Sequence, residues 1–386
     1  MSPKGTAVAY VSSPGDGPSA QDLFVLPLAN RVPRNLTADR DRPVGNFDWL
    51  NENELAVLFR DGFKTEVVAV GGSPRKLAAS DSLEIAAFAI SRKGDVVYVA
   101  QSAATPPELW AGGKPVSHFN EALAKLGMGH PEIYRYKSFD GMPIEAALYR
   151  GAGTSASAPQ PLVVLVHGGP AGQWSDRFDA LTQLLVTRGY TVVEPNIRGS
   201  VGYGQKFLES NRGDWGGGDY KDVMACVDDL VTRKIADPNR LAIGGWSYGG
   251  YMAEWAITQT DRFKVAISGA GMADLATEYG TESHPEGDEW YYGTPYENLA
   301  GFQKSSPIVY IKNAKTPTLI LQGEADTTDP LSQSQMLYRG LKRYNVPAEL
   351  VVYPREPHGL RERKHIEDRY RRSLEWIAKY LGPVSQ

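Results

Sequence analysis

Gly245-Trp246-Ser247-Tyr248-Gly249 fits the pattern GxSxG, and it falls between an apolar, strand-like run at 241–243 and a helical run from Tyr251. A serine on a sharp strand-to-helix turn holds its hydroxyl clear of the backbone, and glycines beside it let neighbouring chain approach closely. The helix that follows aims the positive end of its dipole at the same spot. A serine hydroxyl is a poor nucleophile at neutral pH until a base takes its proton, and that base must itself be oriented by an acid. The chemistry such a set performs is acyl transfer through a covalent intermediate.

Two later segments offer the acid and the base. Leu319-Ile320-Leu321-Gln322-Gly323-Glu324-Ala325-Asp326 is an apolar strand running into an acidic turn, and Leu350-Val351-Val352-Tyr353-Pro354 precedes a loop carrying His358-Gly359. The resulting order, Ser247, then Asp326, then His358, is the chain order of an α/β-hydrolase. Of the six histidines, His118 and His130 lie outside the alternating region, His365 sits on an amphipathic helix, and His284 lies in a polar insertion. Asp326 is preferred to Glu324 and Asp329 because it directly ends the strand-to-loop turn; Asp329 precedes a proline and suits a helix cap near Leu331. An oxyanion intermediate needs preset donors. The amide of Tyr248 supplies one, and the loop His167-Gly168-Gly169-Pro170 supplies the other, with Gly169 preferred. His167 precedes the serine in the chain and reads as structural.

The elements that must position these residues form an alternating series. Apolar runs at 162–166, 191–193, 241–243, 265–268, 318–321 and 349–352 are interleaved with helical patterns at 178–188, 220–234, 251–259 and 331–344, and a closing helix covers 365–380. Continuous apolar strands between helices predict a mostly parallel, doubly wound sheet covered on both faces. A hairpin, 134–139 with 144–149 around Asp140-Gly141, opens this domain, and 151–160 reads as a surface loop. Both catalytic candidates beyond the serine lie past the C-terminal ends of strands, where ligands gather in open α/β sheets. Gly199-Ser200-Val201-Gly202-Tyr203-Gly204 lacks both a phosphate-cradling spacing and an acidic ribose partner, so no dinucleotide cofactor is expected. Asp228-Asp229 reads as a solvated helix face rather than a metal site.

Residues 1–126 follow a different rhythm. Ser2-Pro3-Lys4-Gly5, Asn51-Glu52-Asn53-Glu54 and Ser91-Arg92-Lys93-Gly94 each lead into a short strand, at 8–11, 55–58 and 96–99, and each strand is followed by a second, at 22–28, 65–70 and 108–110. Pro33-Arg34-Asn35-Leu36-Thr37 and Ser73-Pro74-Arg75-Lys76-Leu77 close the first two units. A repeat of about 40 to 50 residues made of short strands is the mark of β-propeller blades. Three such units are too few to close a ring of about four to eight blades. A small open β-domain is the alternative. Either form leaves strand edges that invite pairing, which points to a homo-oligomer. The expected organisation is therefore an all-β partial propeller at 1–126 and an α/β-hydrolase domain at 127–386.

The formal charge of −4 over 386 residues, with both signs interspersed, gives no basic stripe for nucleic acid and no polybasic segment for a membrane surface. Cys226 is the only cysteine, which excludes an intramolecular disulfide and fits a reducing compartment; its apolar neighbours predict a buried, inert thiol. No apolar run reaches the ~18 to 20 residues of a spanning helix, and no signal pattern opens the chain, so a cytoplasmic location is expected.

Residues 244–252 around Ser247, together with His167-Gly168-Gly169-Pro170, Asn196-Ile197-Arg198-Gly199 through Gly204, and Tyr353-Pro354 before His358-Gly359, resemble the prolyl oligopeptidase family. Gly293-Thr294-Pro295-Tyr296-Glu297-Asn298 and Ser306-Pro307-Ile308 are similar to its acylaminoacyl-peptidase branch. The resemblance covers about residues 127–386. It implies a propeller coupled to a hydrolase domain, a Ser247-Asp326-His358 triad, and oxyanion amides from Gly169 and Tyr248. It also implies short peptides as substrates, N-acylated ones among them. An esterase working at the same site is a second reading, since an ester presents the same carbonyl with a better leaving group. A catalytically silent interaction protein is a third. Tyr279, Trp290, Tyr291 and Tyr292 suit a pocket for an apolar or aromatic group, and equally suit domain packing.

Overall fold

Short strands joined by Gly, Asn and Asp turns pair readily with their sequence neighbours, and the first part of the chain folds into three such meanders. A computed structural model describes residues 1–13, 15–18, 20–79, 83–91, 93–153 and 158–382. Arg92 of one predicted turn and residues 154–157 of the predicted surface loop lie outside them. The first sheet holds β1 (Ala7–Ser12), β2 (Asp22–Pro27) and β3 (Arg34–Asn35). The second holds β4 (Val44–Trp49), β5 (Leu55–Asp61), β6 (Lys64–Val70) and β7 (Arg75–Ala79). The third holds β8 (Glu84–Ile90), β9 (Val96–Ser102), β10 (Thr105–Ala111) and β11 (Lys114–Pro115). All pairings within them are antiparallel. This is the partial propeller.

Strand β5 shows what holds the stack together. Side chains alternate between the two faces of a strand. Leu55, Val57 and Phe59 join a core with Leu23 and Val25 of the first sheet, while Ala56 and Leu58 join one with Ile85 and Phe88 of the third. The middle sheet is buried on both faces, and each fully buried Leu or Phe contributes about 1.5 to 3 kcal/mol. Strands β4 and β8, absent from the repeat read off the sequence, lead the second and third sheets. Asn46 and Asp48 break the apolar pattern of β4 because their side chains accept from the amides of Phe88 and Ile90, at 3.1 and 3.2 Å.

The second unit is built on one eight-stranded sheet. Its strands are β12 (Pro131–Lys137), β13 (Pro143–Tyr149), β14 (Gln160–Val166), β15 (Thr191–Asn196), β16 (Ala236–Trp246), β17 (Phe263–Gly269), β18 (Thr318–Gly323) and β19 (Ala348–Tyr353). Their spatial order is β12-β13-β15-β14-β16-β17-β18-β19, with β13 antiparallel to both β12 and β15 and every other neighbouring pair parallel. This is the α/β-hydrolase sheet. Its central strands are apolar along their length because helices cover them, among them Tyr248–Gln259, Leu331–Arg343 and Arg363–Leu381. By contact the chain divides into Met1–His130 with Gln173–Gln183 and Ser200–Leu208, and Pro131–Gly172 with Leu184–Gly199 and Glu209–Gln386. Among the described residues, no helix is long and apolar enough to cross a membrane.

Candidate active site

Strand β16 ends at Trp246, and Ser247 turns the chain into the helix Tyr248–Gln259 with φ 61° and ψ −125°. A non-glycine residue in that region is strained and persists only where its surroundings hold it. Here the Ser247 amide donates to the Gly269 carbonyl at 2.8 Å, and the Ser247 carbonyl accepts from Tyr251 at 2.9 Å. Gly245 and Gly249 make room for the end of β14: a Cβ on either would lie 2.5 or 2.0 Å from the Val166 carbonyl oxygen. Below the turn, the Tyr248 hydroxyl bonds to buried Asp219, and the Tyr251 hydroxyl donates to the Ser305 carbonyl at 2.9 Å.

The loop after β18 carries the acid candidates. Asp326 is buried; its Oδ1 accepts from the amides of Thr328 and Asp329 at 2.9 and 3.0 Å, and its Oδ2 accepts from Gln322 Nε2 at 3.0 Å. The same Oδ2 lies 2.9 Å from Nδ1 of His358, which follows β19. Gln322 is held in turn by Ser334, whose hydroxyl donates to its Oε1 at 2.7 Å. Burial disfavours the His358 imidazolium, but Asp326 and Asp329 outweigh it, so the His358 pKa is raised above the usual value. Glu324 is exposed and receives the Arg355 amide instead.

Asp329 does not cap the helix that starts at Leu331; Pro330 stands at that position, and no side chain caps it. It is buried, with Oδ2 3.9 Å from His358 Nδ1. Its pKa is raised to about 7, chiefly by burial and also by Asp326 and Asp288, against the pull of His358 and the Ser247 hydroxyl in the other direction.

The loop after β14 passes against the serine. A Cβ on Gly168 would lie 3.3 Å from Ser247 Cβ and 3.8 Å from its Oγ. Gly169 adopts φ +129°, and a side chain there would meet the amides of Ala171 and Gly172 at 2.5 Å. His167 is buried, with Nδ1 2.9 Å from the Gly168 carbonyl. As the first residue of its helix, Tyr248 has an amide without an intrahelical acceptor.

Three of the four aromatic candidates pack on one another or on Trp215, while Tyr279 packs edge-on against Tyr296 and Phe302. Tyr291 and Tyr292 are buried edge-on to Trp215, with ring centroids at 4.8 and 5.6 Å. The Tyr292 hydroxyl accepts from the Trp215 amide and donates to Ser305 Oγ, at 2.8 and 2.9 Å. Trp290 lies beneath the Arg212 guanidinium, and the Tyr279 hydroxyl donates to Glu289 at 2.7 Å. Asp229, expected to be solvated, takes the Tyr134 hydroxyl and pairs with Arg233. Among the described residues, two groups of side chains could hold a cation: Glu356, Glu362 and His365, and Glu278, Glu282 and Asp288, in each of which the ligand atoms lie within 4.8 Å of one another. The second group escaped the sequence reading, although five acids between 278 and 289 were its signal.

A sequence profile of the prolyl oligopeptidase family matches residues 176–384. The chain is 35% identical over 259 residues to the uncharacterized peptidase YuxL of Bacillus subtilis (strain 168), covering 65% of this chain and 38% of that protein. It is 29% identical over 379 residues to the acylamino-acid-releasing enzyme of Arabidopsis thaliana, covering 93% and 46%. The solved acylaminoacyl peptidase of Pyrococcus horikoshii superposes with a TM-score of 0.90 at 25% identity, over 99% of this chain and 63% of that one. An acylaminoacyl peptidase in complex with Z-Gly-Gly-Phe-chloromethyl ketone superposes with a TM-score of 0.91 at 26% identity, with the same coverage. The chain thus spans less than half the length of these two curated relatives.

Proposed function

Because this chain belongs to the prolyl oligopeptidase family, we propose that it is a serine peptidase that cleaves short peptides, N-acylated ones among them, through an acyl-enzyme. The observation that carries the reading is the strained Ser247 turn beside the His358–Asp326 pair, whose atoms lie 2.9 Å apart. In the first step Ser247 Oγ attacks the scissile carbonyl carbon, and its proton passes to His358 Nε2, the ring nitrogen opposite the one that faces Asp326. Asp326 fixes the tautomer and stabilises the imidazolium. The amides of Tyr248 and Gly169 receive the oxyanion, and the loss of one such donor costs about 3 kcal/mol of transition-state stabilisation. His358 then protonates the leaving amine, and the C–N bond breaks. In the second step water, deprotonated by His358, attacks the ester, and Ser247 recovers its proton as the acid leaves.

The acylaminoacyl peptidases among the relatives support an N-acylated substrate class. Purified protein and Ser247→Ala are compared on N-acetylated and free aminoacyl p-nitroanilides and on a short-chain p-nitrophenyl ester, with fluorophosphonate labelling as a readout of the nucleophile. Anilide turnover that disappears in the variant establishes the peptidase. Ester turnover alone, equally dependent on Ser247, replaces it with an esterase, and wild-type protein that resists the label removes the catalytic reading altogether.

A further inference from the structure

The loop that carries His358 is closed on itself by one buried side chain. Glu356 is 1% exposed, and its carboxylate turns back on the far end of its own loop: Oε2 accepts from the Arg361 amide at 2.7 Å, and Oε1 from the Glu362 amide at 2.8 Å. Nδ1 of His365, in the first turn of the helix Arg363–Leu381, lies 2.8 Å from the same Oε1. His358 stands within the resulting ring. Burial alone would raise the Glu356 pKa, but the two amides and His365 outweigh it and lower it. The backbone of the same residue reaches the acid. Its carbonyl accepts at 2.9 Å from the amide of Ala325, the residue before Asp326, and a Cβ on Gly323 would stand 2.4 Å from that carbonyl oxygen. Just ahead of Glu356 the chain is strained: Arg355 has φ 66°, and its amide is held by Glu324 at 3.0 Å. Glu356 thus touches both loops whose side chains, through Asp326 Oδ2 and His358 Nδ1, meet at 2.9 Å.

We propose that Glu356 is a positioning residue for the base: its carboxylate closes residues 356–362 into a ring that holds the His358 imidazole against Asp326. This inference rests on the peptidase reading and gives its site a working part outside the triad. A carboxylate suits the task because it accepts from several donors at once, and such charge-assisted bonds are about twice as strong as neutral ones. Glutamine keeps the shape but offers a single acceptor oxygen. Its amide nitrogen then meets either the Arg361 amide or the Glu362 amide and His365, donor against donor, and the ring opens at that point.

In the resting protein the proton between His358 Nδ1 and Asp326 gives a downfield proton NMR resonance. Reading it needs no turnover, so a chain that resists labelling at Ser247 and a loop that Glu356 does not hold are separate results. In Glu356→Gln the resonance is expected to shift or broaden, with kcat lowered about tenfold or more and KM changed by less than about twofold. Glu362→Pro supplies a second reading should that variant fail to fold. Glu362 is exposed and has φ −73°, which proline adopts, so the substitution removes the amide donor to Glu356 with little strain. Its reference is Glu362→Ala, which drops the same side chain and keeps the amide. The proline variant is expected to show a kcat about threefold or more below the alanine variant and a displaced resonance. A wild type without the resonance, a folded Glu356→Gln with an unmoved resonance or wild-type kcat, a loss confined to KM or to the melting temperature, or a Glu362→Pro that matches Glu362→Ala overturns the proposal.

Discussion

The indole Nε1 of Trp246 donates to the carbonyl of His358 at 2.8 Å, joining the residue before the serine to the loop that carries the histidine. The ring is clamped: Arg369 lies over it at 5.0 Å, and Gly269 lies so close that a Cβ there would stand 2.2 Å from its Cε3. The bond therefore couples the two catalytic loops through a rigid element. Trp246→Phe keeps most of the ring and removes the donor. One hydrogen bond contributes about 1 kcal/mol to stability, whereas a displacement of about 1 Å in a catalytic group costs up to about 10²-fold in rate. The expected result is a kcat/KM lowered about tenfold with a melting temperature lowered by only a few degrees. An unchanged kcat/KM removes the indole from the positioning of His358.

Asp329 sets a second expectation. Its carboxylate and that of Asp326 both raise the His358 pKa, and Asp329 itself titrates at about 7. The base must be neutral to act, so kcat/KM rises with pH through a transition shared by the two groups. Replacing Asp329 with Asn removes one charge that favours the imidazolium. The acid limb of kcat/KM should then move to lower pH and sharpen to a single ionisation. A limb that stays in place shows that Asp329 exerts no field on the base.

Those two residues mark the boundary of what was legible from sequence. The turn around Ser247 could be read because its signals are local: an apolar strand, GxSxG and a helix in succession. Asp326 and His358 could be read because each follows the C-terminal end of an apolar strand, which places both at one edge of the sheet. Strands β5, β6, β9 and β10 announced themselves by apolar alternation. Strand β4 did not, because Asn46 and Asp48 serve amides of the next sheet rather than a core. Asp329 was disguised by the helix that starts just after Pro330, which made it read as a cap although Pro330 holds that position. The run of acids from Glu278 to Glu289 was visible, but which of them meet depends on how two short helices fold beside the Thr327 loop.

Glycines near the serine differ in what they tolerate. Gly249→Ala would place a Cβ 2.0 Å from the Val166 carbonyl, backbone against backbone, where neither strand nor helix can give. That variant should fail to accumulate as folded protein. Gly168→Ala meets the Trp246 carbonyl at 3.2 Å and Ser247 Cβ at 3.3 Å, contacts that a shift of a few tenths of an ångström relieves. It should fold, with a melting temperature within a few degrees of wild type, and lose more than tenfold in kcat/KM because the methyl crowds the nucleophile. A folded Gly249→Ala, or a fully active Gly168→Ala, contradicts this account of the turn.

The buried acids also fix how stability depends on pH. Burial raises Asp219 and Asp329 to about 7, and Glu254 and Glu282 to about 8. Unfolded, such groups titrate near pH ~4, so between ~4 and ~8 the folded chain holds more protons than the unfolded one. Stability must therefore fall as pH rises through that window. The raised His358 acts in the same direction, its contribution being lost as pH climbs through its folded value. Asp140, Glu356 and Asp368 are lowered, and their contribution disappears only below the ordinary carboxylate range. The melting temperature is accordingly expected to be higher at pH 6 than at pH 8.5. Glu254 offers a control that is not itself a catalytic group. Its Oε1 accepts from Ser268 at 2.6 Å, a bond that glutamine can keep, while its Oε2 has no partner among the described residues. Glu254→Gln should raise the melting temperature at pH 8.5 and change it little at pH 6, flattening the profile. A wild-type protein more stable at pH 8.5 than at pH 6 would mean that these carboxyls are ionised in the folded state and partnered by groups not seen around them.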